Sequence, residues 1–169
     1  PQTDELPYCQ NQYDRLIFTP NPQPAFSEQE PTENGAFDVV ADLIRSAQYE
    51  VLYSTMWYDA AQNNDSPGAV VAAAVADLYQ MVRQHPEQYP RGMTVRILLD
   101  NPPEMANGEA TGQLWSLLGD LRQAGVDKMV DKEVGWRLEV ADYEGNAPHS
   151  HVKTVIIDGK TAVAAGFNT

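Results

Sequence analysis

Apolar positions along the chain follow two periods that alternate. Phe37, Val40, Leu43, Ile44 and Ala47 recur at helical spacing, with Asn34 placed to cap the first turn. Residues 49–57 then read as a strand, dense in apolar and aromatic side chains. Ser66-Pro67 opens a second helix, a capping serine followed by proline at the first helical position, and Pro86 stops it near Gln84. Residues 94–99 form a short strand ending at Asp100 and the Asn101-Pro102-Pro103 break. Thr111 opens a third helix bearing Leu114, Leu117, Leu118 and Leu121, closed by Gly125. Residues 136–141 and 151–157 read as strands, and residues 161–165 pair back through Asp158-Gly159-Lys160.

Ahead of Asn34 the periodicity is lost. Residues 1–33 hold six of the twelve prolines and read as an extended entry segment, with 15–19 a short strand before Pro20. Residues 34–169 form the domain. Helices alternating with strands predict an α/β fold, a layered sandwich with a mixed sheet flanked by helices.

Charge narrows the partners. Eleven basic against twenty-four acidic residues give a net charge of −13, which argues against a general nucleic-acid surface, since such surfaces neutralise phosphates with Lys and Arg. From His149 onward Lys153 and Lys160 face Asp158 alone, making this the least acidic stretch. No apolar run reaches the ~18 residues of a membrane-spanning helix. The single cysteine, Cys9, cannot form an internal disulfide. A start at Pro1 and a polar, Pro-rich beginning fit an exported chain, secreted or periplasmic, whose signal has been removed; a trimmed cytoplasmic chain reads the same way. In an exported protein the odd cysteine points to a partner thiol elsewhere.

The chemistry concentrates near the end. His151 and Lys153 stand two apart in a β-branched run, so both project to one face. An imidazole beside an ammonium suits a phosphate: the first can attack phosphorus or carry a proton, and the second neutralises non-bridging oxygens. A charged lysine within an apolar strand itself calls for an anionic partner. His149 lies on the same potential face, and an H-x-H pair joined by a carboxylate or His85 could hold zinc; no further ligand cluster is evident, so no metal is assigned. His85 reads as structural, at a helix end where the dipole favours it. Asp158-Gly159 is a strong turn pair, and Asn168 could equally be a turn residue. Trp57 and Tyr58, or Asp100 and Asn101, end strands where open α/β sheets bind ligands, but aromatic residues there are more often core.

The spacing His151-x-Lys153-x4-Asp158, followed after six residues by Ala165-Gly166-x-Asn168, resembles the H-x-K-x4-D signature of the phospholipase D superfamily. Ala165-Gly166 stands where that family more often has Gly-Ser, so one hydroxyl near phosphate is missing. The resemblance implies a phosphodiesterase that hydrolyses or transfers a phosphatidyl or other phosphodiester group without cofactor. His151 would form a phosphohistidine, Lys153 and Asn168 would hold the phosphate, and Asp158 would support the structure. Family sites need two such motifs, and this chain carries one. It therefore reads as the N-terminal half of a two-motif protein, C-terminally incomplete, its second motif coming from another half or a homodimer partner. Phospholipid is favoured over nucleic acid on charge. The alternatives are a nuclease of the same superfamily working as a dimer, and a non-catalytic phosphate-binding module.

Overall fold

The structure is a computed structural model and describes residues 11–18, 35–58, 66–99, 109–143, 151–166 and 168. Helix α1 (Gly35–Arg45) leads into strand β1 (Glu50–Thr55), followed by α2 (Pro67–Gln84), a 3₁₀ turn at Pro86–Gln88 and β2 (Met93–Leu99). Then come α3 (Glu109–Ala124), β3 (Val130–Asp131), β4 (Trp136–Asp142), β5 (Thr154–Ile157) and β6 (Thr161–Ala164). The strands make one six-stranded sheet in the order β3-β4-β2-β1-β5-β6. β1, β2 and β4 run parallel, while β3, β5 and β6 pair antiparallel with their neighbours. The sheet is mixed and open, and the fold is α/β.

Local chemistry sets the clearest boundaries. Ser66 stays extended, and its hydroxyl accepts the Ala69 N–H at 3.4 Å, so α2 starts at Pro67 as its sequence demands. Pro86 cannot continue the helix, and His85 becomes its C-cap, donating its N–H to Met81 O. The β5–β6 hairpin turns with positive φ at both Asp158 and Gly159, as the mirror-image turns that match strand twist require.

Two expected strands differ most. Residues 15–18 form no strand; Leu16 and Phe18 are exposed, and no described strand pairs with them. The last long run is strand only from Thr154, because the ladder with β1 ends at Ser54↔Thr154, although Ala165 N still donates to Lys153 O. Asn34 and Cys9 lie outside the described residues.

Burial alternates along each strand. Val51 and Tyr53 of β1, Val95 and Ile97 of β2, Leu138 of β4 and Val155 of β5 join one core with all three helices. The steps from β1 to β2 and from β2 to β4 cross the sheet in the same direction. Connections of one hand then deliver α2 and α3 to the same face, where α2 packs on both α1 and α3. The expected flanking by helices is thus seen on one face of the sheet among the described residues. The opposite face carries Leu52, Ser54, Arg96, Leu98, Glu139 and Ile156 around a shallow groove of ≈ 520 Å³.

Candidate active site

The site lies where β1 ends and β5 begins. Because β5 runs antiparallel to β1 with Ser54 opposite Thr154, the residue before Thr154 comes beside Thr55, at the carboxyl end of the parallel strands. Open α/β sheets offer their crevices at such ends. Lys153 has the phase of Val155 and Ile157, so it points towards the helices, and it is only 7% exposed. Phe37 of α1, Tyr53 and Thr55 of β1, Val155 of β5 and Val163 of β6 line a small pocket with it, of ≈ 20 Å³, room for about one water. Lys153 is thus buried beside largely apolar neighbours.

Lys153 Nζ lies 3.3 Å from His151 Nδ1 and donates to His151 O, also at 3.3 Å. Among the described residues no carboxylate forms an ion pair with it. An ammonium removed from water without a counter-ion is costly, so the arrangement favours an anionic partner. His151 itself is exposed. Structure therefore brings His151 and Lys153 together, with the imidazole towards solvent and the ammonium behind it.

Asn168 is half-buried, and its Oδ1 is buried without a hydrogen-bond partner among the described residues. Since amide oxygen and nitrogen are assigned from their partners, Asn168 can offer either a donor or an acceptor. The β6 strand, running back beside β5, returns the chain towards His151 through the Ala165 to Lys153 hydrogen bond.

Asp158 sits at the other end of β5. Its Oδ1 accepts N–H bonds from Tyr49 and Glu50, and its Oδ2 accepts one from Gln48, each 2.9 Å long. Its own N–H donates to Glu50 O at 2.9 Å, and its carbonyl accepts from the Tyr49 hydroxyl. The carboxylate thus ties the hairpin to the start of β1, with the four residues of β5 between it and Lys153.

The remaining candidates separate from this cluster. Tyr58 is core: its N–H donates to Gln113 Oε1 at 3.0 Å and its hydroxyl to Asp120 at 2.8 Å. His85 lies 3.5 Å from Glu87 at the end of α2. His149, Asp100 and Asn101 fall outside the described residues. No group of three or more His, Cys, Asp or Glu side chains able to hold a metal occurs among the described residues. Thr55 and Phe37, which line the pocket with Lys153, carry no site signal in the sequence; Thr55 shares the buried phase of Val51 and Tyr53, but only the strand register reveals its neighbour.

No protein-family model matches the chain, and no curated protein matches it.

Proposed function

We propose that this chain supplies a phosphodiesterase site of phospholipase D type, on a domain of that superfamily's fold, with a second H-x-K motif provided by another half or a partner copy. His151 attacks phosphorus, forming an N–P bond as the bond from phosphorus to the leaving oxygen breaks. The second motif's histidine protonates that oxygen and then takes a proton from the water or alcohol that releases the phosphohistidine. Lys153 neutralises the non-bridging oxygens, and the Asn168 amide donates to the same group. A net charge of −13 favours phospholipid over nucleic acid.

The observation that carries this reading is the buried Lys153 ammonium, 3.3 Å from His151 Nδ1 and without a described carboxylate counter-ion. The motif spacing and the position at the carboxyl end of the sheet support it. The test is turnover on a panel of phospholipids and single-stranded DNA with EDTA present, alongside the oligomeric state. Head-group release that disappears in His151→Ala is the expected result. Turnover that survives that substitution, or that requires a divalent ion, would overturn it. Phosphate binding by a monomer with no turnover, even when joined to a second motif, would favour a binding module.

A further inference from the structure

The two edges of the sheet are finished differently. β3, at one edge, is only two residues long and offers little to pair with. β6, at the other, reads Thr-Ala-Val-Ala with neither proline nor charge, and three of its four residues are exposed. Since Ala165 N donates to Lys153 O, alternation turns the main chain of Val163 towards β5 and that of Ala162 and Ala164 outwards. Their N–H and C=O groups face no described strand. Such an edge is a template for one more strand.

The same chain holds a segment suited to it. Arg15-Leu16-Ile17-Phe18 is apolar after its first residue and carries side chains that favour strands. Among the described residues it pairs with no strand, and Leu16 and Phe18 are 68% and 51% exposed. Period two puts these two side chains on one face and Ile17 on the other. Pro20 bounds the run, since proline cannot donate to a ladder. Residues 19–34 join Phe18 to α1; such a length spans about 50 Å when extended, well over the ~24 Å width of five strand spacings.

We infer that the outer edge of β6 is a docking surface for residues 15–18 of the same chain, which pair there as a seventh strand. The pairing gives Ala162 and Ala164 backbone partners and takes apolar surface of Leu16, Ile17 and Phe18 out of water. A tether within one chain makes the segment available at any protein concentration. The place bears on the site. Val163 lines the small pocket with Lys153, and a strand ~4.8 Å beyond β6 sets an apolar side chain beside Val163 whichever face it presents. That wall of the pocket then lies within the sheet instead of at its rim. The inference stands apart from the phosphodiesterase reading, since it uses only the edge and the segment.

The experiment is amide hydrogen exchange, followed by NMR on the nitrogen-15-labelled full chain. Val163 is the internal reference, because its N–H faces β5 with or without an added strand. With residues 15–18 docked, Ala162 and Ala164 should exchange within about tenfold of the Val163 rate. In the double variant Leu16→Asp, Phe18→Asp, both should speed up by at least about tenfold while Val163 stays unchanged. Ala162 and Ala164 exchanging at unprotected rates in the wild type would overturn the inference. So would protection that survives the double substitution. Protection that appears only as protein concentration rises would also overturn it, assigning the edge to a second copy. If the variant fails to fold, nuclear Overhauser contacts in the wild type decide: the Ala162 and Ala164 amides should show them to residues 15–18, and their absence would overturn the inference.

Discussion

Three backbone amides converge on one carboxylate at Asp158, and its φ of 54° places it in the left-handed region. Asp and Asn tolerate that conformation better than other residues with side chains. Removing the carboxylate leaves Gln48, Tyr49 and Glu50 N–H groups without their acceptor and puts Cβ strain on the turn. Asp158→Ala should therefore cost about 2–4 kcal/mol in urea unfolding, with Asp158→Asn costing roughly half as much. A loss below about 1 kcal/mol for Asp158→Ala would mean water replaces the carboxylate easily. The turn role was legible in the Asp-Gly pair. The amides it serves were not, because they lie 108 to 110 residues away in sequence. The pairing of His151 and Lys153 was legible for the opposite reason: two residues of one run share a face through local geometry.

Among the elements, α2 was readable to its ends because both boundaries are set by residues at the boundary itself. Ser66→Ala should lower stability by about 0.5–1 kcal/mol, the modest end for a cap, given a hydrogen bond of 3.4 Å; thermal unfolding against wild type measures it. β3, two residues long, leaves no period to read, and its strand character comes only from pairing with β4. α3 begins at Glu109 rather than Thr111, two residues earlier than the leucine spacing marks. A tight crossing at the start of β2 also escaped the sequence. Gly92, at φ 71°, faces Gly135, at φ 73°, and a Cβ on Gly92 would meet Gly135 O at 2.5 Å. Because that oxygen is backbone and accepts the Met93 N–H, it has little freedom to move aside. Gly92→Ala should destabilise by more than about 2 kcal/mol, read as a fall in the denaturation midpoint. A neutral result would show that β2 and β4 can part at this end without loss.

Across the whole molecule, charge and burial are distributed unevenly. The open sheet face carries a cross-strand series in which Arg96 donates to Glu50 at 2.7 Å and to Glu139 at 2.6 Å; the Arg96 hydrogen bond, chiefly, holds the Glu139 carboxyl below its usual range. Beneath the helices, burial and then the hydrogen bond to Asp127 push the Tyr79 hydroxyl up to about 12. A folded-state value above the unfolded value of 10 favours the protonated, folded form, so this contribution is full below pH 10 and fades as pH rises towards 12. Stability should fall across that window, and the slope should flatten in Tyr79→Phe, measured by urea unfolding at stepped pH. At the end of the sheet where β5 begins, buried Lys153 lies beside exposed His151. Rapid quench at high pH during turnover of a phospholipid, followed by peptide mass mapping, shows whether His151 carries the reaction. A phosphate-bearing adduct should appear on His151 and be absent from His151→Ala. Turnover that proceeds with His151 never modified would contradict it.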